Sequence, residues 1–412
     1  MIGIEGEPVG ITASNDVMRR EGGWGLVRVA PNGALSAIPL YDGAILGCAR
    51  GHGGVIDVGD GALAVQHAQF VVRPDGVYVS DLDTPTGTRL DGVPISMLGL
   101  AHGSVLRMGN TLALFVERDL ETYVGAPGYV GGEMVAGARQ REWIDPAVAH
   151  VRAGRSMVIQ GGPGVGKSTL ARVAVRASGV QLPVHAFDGV GLEPEQLLHR
   201  LEVAGPMIWL IQHIDRIPRA AQADLVRAIR STEGAMLVAT VVGAIEDAQA
   251  EGRVGASLMG LVENRTLKVP ELEQRREDVP ALTIEMLRRM GVSLNHGAES
   301  VFEAVLRAGW PGGVRELGAH LAAAFDAGGT AEAAAEILCQ SVPRAGVKEP
   351  LPLQESDADL ARARLRRALD RASGTVAVAA RELRMSRQAF YRELRRLDME
   401  GKKRTSTLPS AQ

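Results

Sequence analysis

Gly161-Gly162-Pro163-Gly164-Val165-Gly166-Lys167-Ser168-Thr169 fits the phosphate-binding pattern G-x-x-x-x-G-K-[ST] at every fixed position. It follows the apolar run Met157-Val158-Ile159 and precedes Leu170-Ala171-Arg172-Val173-Ala174-Val175, so the strand, loop and helix setting that the pattern requires is present. Glycines let backbone N–H groups close around a phosphate chain at a helix N-terminus, Lys167 supplies a fixed positive charge, and Ser168 can reach a magnesium ion. The stretch reads as a nucleotide site, the alternative being a glycine-rich turn that matches by chance.

Around this loop, 412 residues with 46% apolar side chains are enough for two to four domains, each with its own core. Apolar stretches such as Met207-Ile208-Trp209-Leu210-Ile211 fall far short of the roughly 20 residues of a membrane span. Met1 to Val17 carries Glu5, Glu7 and Asp16 and no basic leader, which predicts a cytoplasmic protein with no membrane partner. Cys48 and Cys339 give neither a disulfide nor a metal framework. The net charge of −3 conceals an asymmetry, because Leu360 to Arg404 holds 14 Lys or Arg against 5 Asp or Glu. A basic end on an acidic body points to a polyanion partner; solvated helix charge is the plainer reading.

Three compositional blocks follow one another. Residues 22–118 are rich in Gly and in alternating apolar residues, as in Val77-Tyr78-Val79-Ser80 and Thr111-Leu112-Ala113-Leu114-Phe115, with turn signals such as Pro74-Asp75-Gly76, which predicts an all-β domain. Residues 125–343 alternate short apolar strands with helical segments, the pattern of a parallel sheet, and become wholly helical after Pro280. Residues 357–400 are helical, and the tail 401–412 reads as disordered.

The first block resembles a forkhead-associated (FHA) domain, a β-sandwich that reads phosphothreonine. The likeness rests on Leu46-Gly47, His67-Ala68-Gln69-Phe70, Asp81-Leu82-Asp83-Thr84, Gly87-Thr88-Arg89-Leu90-Asp91-Gly92 and Leu100-Ala101-His102-Gly103. Where the family has its phosphate-binding arginine this chain has Cys48; the loop serine and its following basic residue fall on Ala64 and Val65, and Thr86 replaces an asparagine. A doubly charged phosphate needs charge-assisted donors. Only Thr84 of the expected set remains, so the block reads as an interaction module for a protein partner, RNA polymerase among the candidates, without a phosphate reader.

The second block resembles the AAA+ ATPase domain of sigma-54-dependent enhancer-binding regulators, with a helical lid from about residue 275. The likeness is carried by the phosphate loop, by Leu272-Glu273-Gln274-Arg275-Arg276-Glu277-Asp278-Val279-Pro280, and by Trp310-Pro311-Gly312-Gly313-Val314-Arg315-Glu316-Leu317. It implies ATP with Mg2+ as cofactors, bound by Gly161, Gly162, Pro163, Gly164, Val165, Gly166, Lys167, Ser168 and Thr169, with Ser168 on the metal. Arg315 matches the sensor arginine that reaches the phosphates, or else pairs with Glu316. Aligning Pro218 and Gln222 on the family's second motif puts Gln212 and His213 where that motif has Asp and Glu. An amide and an imidazole cannot hold magnesium and polarise water as two carboxylates do. Asp215 is the one candidate catalytic substitute. Val241 stands at the sensor asparagine, Gly255 and Leu261 stand at the trans-acting arginines with Arg253 and Arg265 as displaced candidates, and the Gly-Ala-Phe-Thr-Gly-Ala loop that contacts the sigma factor is missing.

The third block resembles the Fis-type helix-turn-helix. Val378 to Leu383 leads into Met385 to Leu394; Ser386 is a natural N-cap, Arg384 takes a turn position usually given to glycine, and Phe390, Leu394 and Leu397 form one apolar stripe. Arg387, Gln388, Tyr391, Arg392 and Arg395 then face outward, the side that enters the major groove in this motif. The resemblance implies a dimer, paired through a helix near Ala358 to Ala372, on an inverted-repeat DNA site. The sequence thus reads as a multidomain DNA-binding transcriptional regulator with an ATP-binding AAA+ core that hydrolyses poorly, forming a homodimer or higher homo-oligomer. An active remodelling ATPase using Asp215, and a nucleotide-gated protein scaffold, are the alternatives.

Overall fold

In a computed structural model, residues 23–48, 55–73, 76–125, 127–137, 139–191, 195, 205–262, 265–294 and 297–342 are described, together with 365, 368, 369, 375–383, 387, 390, 391 and 394. The tail 401–412 and most of the 357–400 block lie outside these residues.

The N-terminal strands are β1 (Gly25–Val29), β2 (Leu35–Pro39), β3 (Ile45–Gly47), β4 (Val55–Asp57), β5 (Ala68–Arg73), β6 (Gly76–Asp81), β7 (Thr88–Leu90), β8 (Val93–Ile95), β9 (Met97–Leu100), β10 (Val105–Met108) and β11 (Thr111–Val116). They form a six-stranded sheet of order β2-β1-β11-β10-β7-β8 and a five-stranded sheet of order β4-β3-β5-β6-β9. This region is rich in sheet, in keeping with a β-sandwich. The chain divides by contact into one unit of Met1–Leu40, Arg89–Val93 and His102–Lys348, and another of Tyr41–Thr88, Pro94–Ala101 and Glu349–Gln412.

Within the first unit, a hairpin of β12 (Gly128–Val130) and β13 (Met134–Ala136) precedes helix α1 (Arg141–Arg152) and the core strand β14 (Met157–Gly161). Helix α2 (Lys167–Ser178) follows, then β15 (Val184–Asp188), β16 (Ile208–Gln212), α3 (Arg219–Ser231), β17 (Met236–Val242), α4 (Ile245–Ala250), α5 (Ala256–Val262) and β18 (Thr266–Lys268). The sheet is parallel, of order β15-β16-β17-β14-β18. Its central strands read as unbroken apolar runs because both faces are covered: Met157, Val158 and Ile159 are buried, as are Ile208 to Ile211 and Met236 to Val241. In α3, Ala221, Leu225, Val226 and Ile229 recur at helical spacing and turn one face into this core.

The lid consists of α6 (Val279–Arg289), α7 (Ala298–Arg307), α8 (Gly313–Gly328) and α9 (Ala331–Ser341). Its core is not its own. Val27, Val29, Val105, Leu112, Leu114 and Val116 from β1, β10 and β11 join Leu272, Val279, Val301, Phe302, Val305, Leu306, Trp310, Leu317 and Leu321 in one buried cluster. The alternation of β11 explains this, since Leu112, Leu114 and Val116 share one face while Ala113 and Phe115 take the other, and all six residues of the strand are buried. Polar contacts reinforce the seam: Arg107 bridges to Glu303 at 2.6 Å, and Arg276 donates to the Gly103 carbonyl at 2.8 Å. The terminal strands of the 22–118 block therefore share a hydrophobic core with the lid, a grouping that the compositional boundaries do not reveal.

In the second unit, helix α10 (Val376–Glu382) contributes Ala379 and Ala380 to a small cluster with Leu365, Ala368, Phe390 and Leu394. No helix among the described residues is long and apolar enough to cross a membrane.

Candidate functional site

The phosphate loop connects β14 to α2, with Gly161, Gly164 and Gly166 at φ of 148°, 69° and 105°. These are conformations open to glycine and strained for other residues. Lys167 is buried and its Nζ donates to the Gly161 and Gly162 carbonyls, the first at 3.0 Å. Burial lowers its ammonium pKa; Glu271 and Asp215 oppose the shift and Arg315 adds to it. The ammonium is thus held inside the loop, where a phosphate chain would meet it.

The lid closes one side of this loop. Val314 N donates to the Gly164 carbonyl at 3.0 Å, and Gly313, at φ 66°, lies so close that a Cβ there would sit 2.8 Å from the Gly164 carbonyl carbon. The same turn brings Arg315 to the loop: a Cβ on Gly164 would be 3.3 Å from the Arg315 Cβ. Glu316 turns back to cap its own helix, its Oε2 accepting from Gly312 N at 2.7 Å. Behind the loop, Arg275 donates to the Val165 carbonyl at 2.6 Å and lies 5.4 Å from the Trp143 ring centroid. The two lid motifs that are legible in sequence therefore both end on the phosphate loop.

At the end of β16, Ser168 Oγ donates to Gln212 Oε1 at 2.8 Å. The residue facing the candidate magnesium ligand is therefore a neutral amide. Asp215 is displaced from this position. It lies in the short turn Ile214–Arg216, buried, with Oδ2 bonded to Arg253 and 3.7 Å from Arg216 Nε. Arg253 is thereby committed within the chain, holding Glu251 at 2.7 Å as well. Arg265 is committed too, donating to the Ser156 and Leu261 carbonyls, each at 2.9 Å. Both displaced arginine candidates are thus structural here, and Asp215 is the counter-ion of one of them. Gln222, which anchored the sequence alignment, fastens the Ile217 and Arg253 carbonyls and Gly255 N in the buried interior.

Two sets of contacts in the site are not legible in the sequence. His213, standing where the family's motif has its water-polarising Glu, has a left-handed φ of 50°; its N–H donates to Thr240 Oγ1 at 3.3 Å and its Nδ1 lies 2.8 Å from Asp188 Oδ1. Glu271, just after β18, accepts from Gly162 N at 2.9 Å. Neither partner stands at a motif spacing, so only the packing of neighbouring strands discloses them.

Loop amides, the buried Lys167 and Arg315, which lies within electrostatic reach of that lysine, make a donor set of the chemistry a polyphosphate needs. For magnesium it offers one hydroxyl and one neutral amide oxygen, so the ion's charge would be met by phosphate and water, with no carboxylate of β16.

The positions that align with the FHA phosphate-reading residues, Cys48, Ala64, Val65, Thr84 and Thr86, lie in the second unit. His67 is fully buried, with Nδ1 accepting from Ala64 N at 3.3 Å and Nε2 3.1 Å from the Gly87 carbonyl. Thr84 Oγ1 donates to Asp81 Oδ1 at 2.9 Å, and Thr88 Oγ1 donates to the same oxygen at 2.7 Å. Cys48 meets the loop only through its backbone, donating to the Ala64 carbonyl at 2.9 Å. Val65 is exposed. Thus Thr84, the one survivor of the phosphate-reading set, orders its own loop.

Of the candidate DNA-reading residues, Arg387 and Tyr391 are exposed, while Phe390 and Leu394 between and beyond them are buried. Gln388, Arg392 and Arg395 lie outside the described residues.

A parallel five-stranded sheet with the phosphate loop after its first strand, a helical lid, and the order 2-3-4-1-5 within the domain define the core as an AAA+-like P-loop domain. Residues 143–272 match the family model described as Sigma-54 interaction domain. It is similar to the transcriptional regulatory protein XylR of Pseudomonas putida, 27% identical over 223 residues covering 45% of this chain and 39% of that protein. It is also similar to the C4-dicarboxylate transport transcriptional regulatory protein DctD of Rhizobium meliloti, 27% identical over 214 residues, 48% of this chain and 45% of that one. The chain spans less than half the length of these relatives. Among solved structures, NtrX from Brucella abortus matches with 20% identity and a TM-score of 0.41, covering 63% of this chain and 68% of that chain.

Proposed function

We propose that this chain is a DNA-binding transcriptional regulator whose AAA+ core binds ATP, with magnesium held mainly by the phosphates, and hydrolyses it poorly. The observation that carries this reading is the hydrogen bond from Ser168 Oγ to Gln212 Oε1 beside an otherwise complete phosphate loop. Binding needs the loop amides and Lys167, which are present. Rapid hydrolysis needs a carboxylate to hold the metal, another to polarise water and an arginine to stabilise the transition state. Here those places hold Gln212 and His213, and the candidate arginines are tied to Asp215, Ser156 and Leu261.

In this reading nucleotide acts as a ligand that sets the lid, and the output is exercised through the C-terminal helices. Arg387 and Tyr391 present an exposed face over the Phe390 and Leu394 core, which supports duplex DNA as a partner and a dimer on an inverted repeat. The FHA-like region serves as a protein-binding module without preference for phosphothreonine, because Thr84 is engaged by Asp81 and the residues at the cation positions, Cys48, Ala64 and Val65, are uncharged.

Nucleotide titration and turnover on the full-length protein test the reading. ATP binds; Lys167→Ala abolishes binding; Gln212→Asp, which returns a carboxylate to the side of Ser168, makes binding more magnesium-dependent. Steady turnover near 1 per second or faster, the range of ordinary enzymes, would refute poor hydrolysis. A Lys167→Ala protein that binds like the wild type would refute the site itself.

A further inference from the structure

Glu271 stands at the root of the lid, three residues after β18, and its Oε1 accepts the Gly162 N–H at 2.9 Å. The fit is close: a Cβ on Gly162 would lie 2.3 Å from Oε1 and 2.7 Å from Oε2, so this carboxylate fills the space that a side chain at the loop's second position would take. The Gly162 backbone is not in the left-handed region. What the site requires of residue 162 is therefore room for the carboxylate, with no demand on backbone conformation. Glu271 is also the leading group opposing the fall in the Lys167 pKa, which places its charge within electrostatic reach of the ammonium.

We propose that Glu271 is a resident anion of the phosphate loop, a positioning residue that orders the loop through Gly162 and lowers its affinity for polyphosphate by charge repulsion. This rests on the nucleotide-binding reading above and adds to it what sets the strength of that binding. An incoming phosphate chain takes up the same lysine whose charge Glu271 already offsets, in a partly buried setting where screening is weak. A glutamine at the same place keeps an oxygen for Gly162 N and removes the charge. The repulsion scales with ligand charge, so relief is largest for ATP, smaller for ADP and absent for adenosine. Because Glu271 lies between β18 and the turn that carries Arg275 to Val165, its displacement by phosphate also reaches the first segment of the lid.

The test is equilibrium titration of the full-length wild type, Glu271→Gln, Gly162→Ala, the double variant and Lys167→Ala with ATP, ADP and adenosine at low and high salt. Glu271→Gln is expected to tighten ATP about tenfold and ADP by less, to leave adenosine unchanged, and to lose most of its advantage at high salt. Gly162→Ala, whose methyl group expels the carboxylate, gives a similar gain, and the double variant gains no more than either alone. Should Glu271→Gln fail to fold, Gly162→Ala carries the test. ATP affinity unchanged or weakened in both variants, or a gain equally large for adenosine, overturns the proposal. A wild type that binds no nucleotide beside a Glu271→Gln protein that does supports it. If neither binds, and both match Lys167→Ala, the nucleotide reading has failed and this inference fails with it.

Discussion

Gly313→Ala tests whether the lid is seated on the phosphate loop. Gly313 has φ 66°, a conformation that costs an L-residue about 1–2 kcal/mol. A methyl group there would also stand 2.8 Å from the Gly164 carbonyl carbon, 2.9 Å from its oxygen and 3.0 Å from Val165 N. All three are backbone atoms of a loop that cannot retreat without losing its shape, so the lid must lift. Lifting breaks the 3.0 Å bond from Val314 N to the Gly164 carbonyl, worth a further 1 kcal/mol or so. The total, about 2–3 kcal/mol against the docked lid, corresponds to roughly 30-fold to 150-fold faster hydrogen exchange at the start of α8 if exchange proceeds through lid opening. Exchange measured by mass spectrometry over peptides spanning 310–318 reads this directly. Gly318→Ala is the control: its Cβ would meet Met286 Cε at an ordinary 3.6 Å, and an alanine within a helix is better by about 0.5–1 kcal/mol. Unchanged exchange in Gly313→Ala, or equal acceleration in Gly318→Ala, would refute the docking.

Arg107→Ala removes the nearer cation from Glu303, which is 8% exposed in its side chain and keeps only Arg307 at 3.7 Å; a loss of about 1–3 kcal/mol from the seam between β10 and α7 is expected, read as faster exchange in both elements together. Glu277 and Asp278 hold their protons to higher pH than ordinary carboxyls, Glu277 pushed up to about 7 by burial and then by the neighbouring Asp278 charge, Asp278 pushed up to about 6 by burial. The stability they contribute is complete below the ordinary carboxylate values near 4 and is lost as pH rises through about 6 to 7. Thermal unfolding followed from pH 5 to 8 should therefore show this loss, and Glu277→Gln should flatten it; an unchanged slope counts against the assignment. Phe390→Ala empties the centre of the small C-terminal cluster, where the side chain is fully buried, and should cost about 3–5 kcal/mol, enough to unfold that block and abolish DNA binding in a mobility-shift assay while leaving nucleotide affinity intact.

The phosphate loop and the buried strands were legible in the chain because each depends on a local rule, glycine where φ is positive and apolar runs where both strand faces are covered, while the two lid motifs were legible through a family resemblance. The same resemblance, aligned on Pro218 and Gln222, makes the substitutions at Gln212 and His213 visible in the sequence. Which group each of them meets was another matter. Asp215 was a reasonable substitute by spacing, yet the turn after β16 rotates it toward Arg253, 38 residues away, while the strand end presents Gln212 to Ser168, 44 residues away. Glu271 reaches Gly162 across 109 residues only because β18 lies beside β14 in the sheet, and nothing in either short segment encodes that adjacency. The merging of β1, β10 and β11 with the lid is likewise a tertiary decision. Both faces of β11 are apolar, but an apolar face specifies burial without specifying a partner, since the hydrophobic effect is non-directional. Local conformational chemistry thus belongs to the sequence alone. The pairing of charges and faces over long separations belongs to the packed chain, where close fit and burial choose among partners that composition leaves equivalent.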